Sequence, residues 1–241
     1  IRMKKINWKT ISSENMPIAG EYLSISSAGI TFNAEFVRNK KLLAKKAVKF
    51  FTDDGQYFFG FEFLDDKEPW SFTFRETNLK TTTATRTCNA GGLISQSKVL
   101  SNIKKEPLRR DRIFEIQEDA TNPGMFYVEL KPGFEFTTEF SNIKNVPNDV
   151  TGIYRCLDQE EKVVYIGSGL VKAESLAAQK KSGAQFKFVE YSPVADRDKA
   201  YKWERHYQEE YKKQFGVLPT FNKILAPQRS CEEQESNLRA L

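Results

Sequence analysis

The sequence predicts an α+β fold made of two units, and three observations lead to that expectation. Residues 1–148 are rich in short strand-like runs separated by marked turns, and they contain a weak internal repeat. Residues 149–226 contain a hairpin-like pair of runs, a third strand and two helical segments. The chain of 241 residues, 39% of them hydrophobic, is long enough to give each unit its own core. We expect a mainly β unit, then a small antiparallel sheet with flanking helices, then a polar tail at 227–241.

The repeat in the first unit relates residues 29–63 to residues 92–130. At a constant offset of 64, the equivalent positions are Ile30 and Ile94, Phe36 and Leu100, and Phe50 and Phe114. After a longer turn the offset becomes 67, and it pairs Phe59 with Phe126, Phe61 with Val128 and Phe63 with Leu130. Each copy is predicted to run strand, short helix, basic connection, strand, acidic turn, strand. This order faintly resembles the small barrels built from paired strand-helix-hairpin repeats, including AbrB-like DNA-binding domains.

Both copies carry a basic connection at the same place, which favours a nucleic-acid partner. Residues 38–49 include six basic and no acidic side chains. Clustered lysine and arginine neutralise phosphates, and two patches related by a pseudo-twofold would suit a duplex. The predicted DNA contacts are Arg38, Lys40, Lys41, Lys45 and Lys46 in the first copy, and Lys104, Lys105, Arg109, Arg110 and Arg112 in the second. The alternative is a solvated helix face and loop.

Between the two copies lies a threonine-rich segment, residues 71–91. Its hydroxyl groups surround Lys80 and Arg86, and small hydroxyls interleaved with basic residues can contact phosphates and base edges. We therefore predict direct DNA readout by Lys80 and Arg86. An ordinary β-strand with threonines on its exposed face is an equal alternative.

Two triplets organise the second unit: Gly152-Ile153-Tyr154, and Tyr165-Ile166-Gly167 beginning eleven residues after Tyr154. The runs GIYRCL and VVYIG flank the polar turn DQEEK, which predicts a hairpin with the tyrosines on neighbouring strands. A glycine break follows, and then a helix. The pair of triplets resembles the GIY-YIG nuclease family, in which Gly152 and Gly167 would be structural glycines. The resemblance implies metal-dependent hydrolysis of DNA phosphodiester bonds.

The second predicted helix, residues 198–215, places a carboxylate on an apolar stripe. On a helical wheel, Ala200, Tyr207, Tyr211 and Phe215 share one face, and Glu204 falls within it. Desolvating an ionised glutamate is costly unless a cation or hydrogen-bond donors compensate. Glu204 is therefore a candidate metal ligand.

The resemblance agrees with this candidate. GIY-YIG proteins carry a metal-binding glutamate on this helix, often four residues after an alanine, as Glu204 follows Ala200. They end with a proline and a structural asparagine, which Pro219 and Asn222 match. Counting back from Asn222 would instead select Glu210, a residue on the polar face of the helix.

The resemblance also implies roles for the tyrosines and a cofactor. One Mg²⁺ or Mn²⁺ ion would be held by Glu204, with water and phosphate oxygens completing its coordination. Tyr154 would activate or orient the attacking water, and Tyr165 would hydrogen-bond in the same pocket. Because a free tyrosine has a pKa near ~10, Tyr154 would need help from the metal and nearby positive charge. In the simpler alternative, both tyrosines only pack the hairpin.

One departure from the family concerns the first helix. The family normally places there an arginine that stabilises negative charge on the scissile phosphate, and this chain has none between Arg155 and Arg197. Lys172 is the best catalytic substitute, since it lies four residues before Leu176 on the face expected to dock on the sheet. Other possibilities are completion by Arg155 or Arg197, an engineered inactive variant, or a degenerate domain.

Composition limits the partners. A net charge of +5 is compatible with nucleic acid, and no apolar run approaches the ~20 residues of a membrane span. The three cysteines have no metal-ligand spacing and suit a reducing cytosol, so we expect a cytoplasmic protein, nucleoid-associated if bacterial.

Together these patterns predict a sequence-specific DNA endonuclease of restriction or homing type acting on double-stranded DNA. One active site cuts one strand, so double-strand cleavage would need a homodimer or two successive nicks. The alternatives are a structure-selective repair nuclease, and a DNA-binding or regulatory protein with an inactive nuclease domain.

Overall fold

A computed structural model describes residues 19–53, 57–75 and 84–227, and in these ranges the chain forms three antiparallel sheets and five α-helices. The expected α+β class is thereby confirmed, because every strand pairing is antiparallel and the helices are few. None of the helices in the described ranges has the length and apolar character that a membrane span requires. The predicted tail from residue 228 onward lies outside the described residues.

The first unit contains two sheets. One has the order β6-β2-β1-β7, with β1 at Tyr22–Ser26, β2 at Gly29–Phe32, β6 at Arg86–Cys88 and β7 at Ile113–Glu115. The other has the order β5-β3-β4-β9-β8, with β3 at Ala47–Asp53, β4 at Phe58–Leu64, β5 at Ser71–Thr73, β8 at Gln117–Glu118 and β9 at Met125–Glu129. Three short helices accompany them: α1 at Ala34–Asn39, α2 at Gly91–Gln96 and α3 at Lys98–Lys105.

Phenylalanines hold the two sheets together. Phe32 and Phe36 meet Phe61, Phe63 and Phe126 with ring centroids 4.9–6.2 Å apart, mostly in tilted or edge-on contact. Such geometries add stability beyond the area that each ring buries. The core of the first unit therefore lies between its sheets and is mainly aromatic.

The predicted repeat is visible in part. The last strands of the two copies, β4 and β9, pair at the centre of the five-stranded sheet, and Gly60 lies opposite Tyr127. The difference 127 − 60 equals the repeat offset of 67, so a local pseudo-twofold axis passes through this pair.

The start of the second copy was predicted wrongly. We expected a strand from Gly92, whereas residues 91–96 form helix α2, and Ile94 is buried from a helix while Ile30 is buried from a strand. The physical reason is that β6 already occupies the edge beside β2. The edge of β2 is therefore not available to the chain that follows β6, and residues 91–96 close their backbone hydrogen bonds as a helix.

The second unit is a four-stranded sheet with a helix on each face. The strand order is β10-β13-β11-β12, with β10 at Phe136–Glu139, β11 at Thr151–Leu157, β12 at Val163–Leu170 and β13 at Phe188–Pro193. Helix α4 spans Val171–Ser182, and helix α5 spans Arg197–Phe215. Because β10 pairs with β13, this sheet begins at Phe136, before the boundary predicted at 148/149.

Local chemistry fixes the limits of these elements. The Asp158 carboxylate accepts the backbone N–H groups of Glu160 and Lys162, which closes the turn between β11 and β12. Helix α5 starts at Asp196, whose side chain accepts two backbone N–H groups of the first turn. Helix α4 ends at Gly183, where φ is +68°, a conformation that glycine adopts without strain.

The two units share one core. The cluster that contains the phenylalanines of the first unit also includes Ile153, Val194 and Ala200 of the second. At the same junction, Tyr57 Oη and Ser192 Oγ both donate to the Glu135 carboxylate, at 2.9 and 2.6 Å. The junction is therefore a packed interior and not a linker.

Candidate active site

The hairpin places both tyrosines of the triplets on one face of the sheet. Tyr154 lies opposite Gly167, and Cys156 lies opposite Tyr165, so these four residues share the face that α4 covers. The ring centroids of Tyr154 and Tyr165 are 6.0 Å apart. Tyr154 is 1% exposed, while Tyr165 is half-buried.

The glycines of the triplets make room for close approach. A Cβ atom at Gly167 would lie 2.7 Å from Tyr154 Oη, so the Tyr154 ring crosses the strand where no side chain stands. A Cβ atom at Gly152 would lie 2.0 Å from the carbonyl oxygen of Ser192 on β13. Gly167 therefore makes room for the Tyr154 ring, and Gly152 lets β13 approach β11 closely.

Glu204 reaches the same hairpin from α5. Ala200, Glu204 and Gln208 follow one another at intervals of four and face the sheet, and Ala200 and Gln208 are fully buried. The Glu204 carboxylate accepts hydrogen bonds from Ser168 Oγ at 2.6 Å and from Gln208 Nε2 at 3.1 Å. The predicted stripe is correct at Ala200 and Glu204, but Phe215 at its end is exposed.

Gln208 was missed in the sequence, although its spacing of four from Glu204 was a usable signal. Its amide donates to Ile166 O at 3.2 Å and to Glu204, while its Oε1 accepts the Ala226 N–H at 2.7 Å. It therefore links the carboxylate, the edge strand β12 and the segment after α5.

Burial raises the pKa of Glu204 above its usual value, against the opposing effect of its hydrogen bonds from Ser168 and Gln208; the nearby charge of Glu174 adds to the increase. No lysine or arginine in the described ranges forms an ion pair with this carboxylate. A bound cation would favour the charged form. The group thus has the character of a ligand that needs a positive partner.

Glu174, in the first turn of α4, was also missed. Its side chain lies along the glycine break after β12, since a Cβ at Gly169 would be 3.1 Å from Glu174 Cγ. Its charge acts on Tyr154, Tyr165 and Glu204, raising the pKa of each. The site is therefore more acidic than the sequence predicted.

Both tyrosines are held neutral. Burial raises the pKa of Tyr154 well above its ordinary value, and Tyr165, Cys156 and Glu174 act in the same direction. Burial also raises the pKa of Tyr165. The expected help from nearby positive charge is not among the influences on Tyr154, so its phenol can donate and orient but is not a base at neutral pH.

Asn222 clamps the edge of the hairpin. Its side-chain oxygen accepts the Ile166 N–H and its amide donates to Ile166 O, both at 2.8 Å. One residue earlier, the Phe221 N–H donates to Val164 O at 2.9 Å. The segment 220–227, named here the C-terminal strap, thus lies along the free edge of β12.

Lys172 forms no hydrogen bond or ion pair with the tyrosines or Glu204 in the described ranges. Its ammonium donates to the carbonyl of Lys144 at 2.6 Å, and Leu176, expected on the docked face, is 41% exposed. Helix α4 docks instead through the small or short side chains of Val171, Ser175 and Ala178, which let it approach the sheet closely. The face on which Lys172 was predicted is therefore wrong.

Neither alternative arginine reaches the site through a contact in the described ranges. Arg155 lies on the opposite face of β11, pairs with Glu190 at 2.5 Å and covers the Phe134 ring. Arg197 lies at the start of α5, with its guanidinium 5.9 Å from the centroid of the Tyr201 ring.

A single-carboxylate metal site is compatible with Glu204. Each of its oxygens accepts one hydrogen bond, which leaves further lone pairs for a hard cation. The described residues contain no group of three histidine, cysteine or acidic side chains arranged to enclose a metal. Water and phosphate oxygens would have to complete the coordination.

The first basic connection is largely neutralised by the protein itself. Its ion pairs join Lys40 to Glu118 (2.5 Å), Lys45 to Asp65 (2.9 Å), Lys46 to Asp66 (2.6 Å) and Lys49 to Glu68 (2.5 Å). Arg38 and Lys41 are exposed. These ion pairs offset much of the positive charge that the composition of this patch predicted.

The second basic connection is less compensated. Lys105, Arg109 and Arg110 are exposed along the end of α3 and the turn that follows, and Lys104 and Arg112 are partly exposed. Arg110 contacts Asp111 at 3.7 Å, whereas Lys104, Lys105 and Arg109 form no ion pair with any residue in the described ranges. This patch keeps most of its positive charge.

The two residues predicted for direct readout have different outcomes. Lys80 lies outside the described residues. Arg86 is buried, donates to the carbonyl of Lys45, and lies 4.3 Å from the centroid of the Phe74 ring. The prediction of a DNA contact at Arg86 is therefore replaced by a role in the core of the first unit.

In comparisons with protein-family models, curated proteins and solved structures, no match to this chain was found. What the chain does is therefore inferred from its own residues. The site contains two neutral phenols and a half-buried carboxylate that has no cationic partner among the residues described here.

Proposed function

We propose that this chain is a metal-dependent DNA endonuclease related to the GIY-YIG nucleases. One observation carries the proposal: the tyrosines of both triplets lie side by side on the hairpin, and Ser168 on the same hairpin donates to Glu204. Glu204 approaches from the other face of the hairpin and meets Tyr165 in the cleft at the edge of β12, where its charge raises the pKa of Tyr165. A hairpin tyrosine that served only for packing would not need beside it a carboxylate that has no ion-pair partner in the described ranges. The substrate is DNA, and the bond hydrolysed is a phosphodiester.

Glu204 would hold Mg²⁺ or Mn²⁺, which when bound polarises the phosphate and lowers the pKa of a coordinated water. Ser168 and Gln208 orient the carboxylate through their hydrogen bonds. Tyr165, a neutral phenol that lines the cleft with Glu204, would donate a hydrogen bond that positions the attacking water or a phosphate oxygen. Tyr154 is buried, and its hydroxyl would orient Tyr165 through the hydrogen bond between the two phenols.

DNA would be held by the second basic connection, Lys104, Lys105, Arg109, Arg110 and Arg112, with Arg38 and Lys41 as further contacts. Sequence-specific cutting of restriction or homing type follows from a recognition unit fused to a cutting unit. A homodimer or two successive nicks would be needed to break both strands.

A second candidate function is DNA binding or regulation without catalysis. It is favoured by the turn of Lys172 toward Lys144 and by the engagement of Arg155 with Glu190, which leave the phosphate site without a cationic side chain from these residues. Loss of such a donor typically slows an enzyme by ~10²–10³-fold. Slow turnover and no turnover are distinguished by the experiment below.

The test is cleavage of mixed plasmid and phage DNA with Mg²⁺ or Mn²⁺ by the chain and by Glu204→Gln. We expect cleavage to fall by ~10²-fold or more in Glu204→Gln. The matched control is Glu209→Gln, an exposed glutamate on the same helix that pairs only with Arg205 one turn away among the described residues. Equal cleavage by both variants would overturn the placement of the metal, and retention of DNA without any cleavage would establish the non-catalytic candidate.

A further inference from the structure

A cleft of about 640 Å³ lies beside β12, and most of its lining residues have no role in the chemistry described above. Helix α4, helix α5 and the C-terminal strap form its walls. Tyr165 and Glu204 also line it, so the cleft is continuous with the candidate active site. Its volume lies within the ~300–1,000 Å³ typical of small-ligand sites.

The charges on this cleft favour an anionic occupant. Lys181 from α4 and Lys223 from the strap line it, and both are exposed. Within residues 19–53, 57–75 and 84–227, neither lysine forms an ion pair or a hydrogen bond. Among the described residues that line the cleft, Glu204 is the only acidic one, and a metal ion would neutralise it. Two free ammonium groups beside a metal ligand are suited to bind phosphates.

The cleft also has an apolar wall. Phe221, Ile224 and Leu225 line it from the strap, and Ala178 lines it from α4. Ile224 is 76% exposed, an unusual position for a branched apolar side chain in a segment held on both sides by hydrogen bonds. An aromatic and aliphatic surface beside phosphate-binding lysines matches a nucleobase and its sugar.

The walls are preformed. Asn222 and Phe221 bind the backbone of β12, and Gln208 binds the backbone of Ala226, so the strap is fixed at several points along the cleft. Binding of a ligand would therefore not carry the entropy cost of ordering the strap. Since helices bound the cleft on two sides, a nucleotide enters it only when it is released from its pairing partner.

We propose that this cleft binds one unpaired nucleotide next to the scissile phosphate, with its phosphates on Lys181 and Lys223 and its base against Phe221 and Ile224. The inference rests on the proposed nuclease function and narrows its substrate. The strand being cut is locally single-stranded on one side of the cleavage point, as at a frayed end, a flap or an extruded nucleotide.

The test measures binding without cleavage, by fluorescence polarisation of labelled dT4, of a fully paired hairpin and of dTMP, in EDTA. For dT4 we expect Lys181→Ala/Lys223→Ala to reduce the slope of log K against log salt by about 1.4, the loss of two single-strand phosphate contacts. Ile224→Ser should weaken dT4 binding about fourfold, the effect of burying about one CH₂ group less against the base. The paired hairpin, bound elsewhere, should be unaffected by either change.

The matched controls are Lys180→Ala/Lys213→Ala and Val217→Ser, which alter exposed residues of α4, of α5 and of the segment between α5 and the strap that do not line the cleft. They should leave dT4 binding unchanged. Equal binding of dTMP and dT4 would point to a free nucleotide as ligand and would overturn the strand assignment. The strand assignment would also be overturned if the cleft variants bound dT4 as tightly as the unaltered chain.

Because the readout needs neither metal nor turnover, the two proposals fail separately. If the chain binds dT4 in the cleft but cuts no DNA, the nuclease proposal is wrong, and so is the placement of the nucleotide next to a scissile phosphate. Cleavage of DNA by a chain with no dT4 binding in the cleft removes only the further inference.

Discussion

Tyr154 is fixed by the residue across from it. The sequence predicted that the tyrosines lie on neighbouring strands, because two strand-like runs flank a polar turn. It did not predict that Tyr154 lies directly across Gly167, because a bulge between Cys156 and Leu157 shifts the register of the hairpin. Periodicity assigns a residue to a face, whereas register depends on irregularities that the sequence does not mark.

Replacement of Gly167 tests this packing. Gly167→Ala places a methyl group 2.7 Å from Tyr154 Oη, and we expect a loss of ~1–3 kcal/mol in the free energy of unfolding, as for overpacked cores. Urea denaturation measures it. Gly92→Ala is the control, because no atom lies within 4 Å of its added Cβ, and alanine should stabilise α2 by up to ~1 kcal/mol. Equal stability of the two variants would show that the tyrosine does not occupy this position.

We predict that the Glu204 carboxylate lowers the stability of the folded chain at pH 7 and is needed for activity. Burial raises its pKa, so the folded chain favours the protonated form. Stability from this group is greatest below its unfolded pKa of ~4.3 and falls as pH rises through the higher folded value. In EDTA, Glu204→Gln should unfold at a higher temperature than the unaltered chain at pH 7, while the difference narrows near pH 4. A Glu204→Gln chain that is less stable at pH 7 would mean that the carboxylate already has a cationic partner.

At the scale of elements, the second unit was largely predictable. Its hairpin turn, the cap at Asp196 and the glycine that ends α4 are local signals, and the strands and helices follow them closely. The docked face of α4 was not predictable, because its apolar pattern is weak and the buried positions are short side chains. Helix α2 was missed for a different reason. We expected a strand there, but the edge of β2 is already paired with β6.

Helix α5 is attached to the first unit through Glu210, and acid should weaken this attachment. Two neighbours lower the pKa of Glu210 to about 2: the hydrogen bond from His206 has the largest effect, and Lys131, which also donates a hydrogen bond to the carboxylate, adds to it. Its contribution is present above the unfolded pKa of ~4.3 and is lost as pH falls toward 2. Glu210→Gln should therefore flatten the decline in stability across that interval, measured by urea denaturation at a series of pH values. Glu209→Gln, one position along the same helix, should keep the decline; loss of the slope in both would locate it elsewhere.

At the scale of the whole molecule, the sequence predicted two units but not their common interior. The contacts that join them come from residues far apart in the chain, such as Tyr57, Glu135 and Ser192. No local pattern marks a glutamate as the acceptor for two distant hydroxyls. The apolar contacts between the units are not marked in the sequence either, because Ile153, Val194 and Ala200 look like ordinary core residues of their own unit.

The shared core predicts a single cooperative unfolding transition. Val194→Ala should cost about 2 kcal/mol, between the usual losses for Ile→Val and Leu→Ala, and should destabilise both units alike. Hydrogen exchange should show equal losses of protection in β4 of the first unit and β11 of the second. Val217→Ala, at a position 63% exposed, should change neither. Loss of protection confined to β11 would show that the units unfold independently.

The packed junction also sets how far from its binding surface the chain can act. An enzyme whose cutting unit hangs on a flexible tether samples a range of positions and cuts with scatter. Here Ile153, Val194 and Ala200 hold the tyrosine hairpin against the phenylalanine core, so the span from the second basic connection to Tyr154 is set when the chain folds. For the proposed nuclease, DNA bound on the second basic connection would therefore meet Tyr154 at one separation, and the cleavage products should share a single end position.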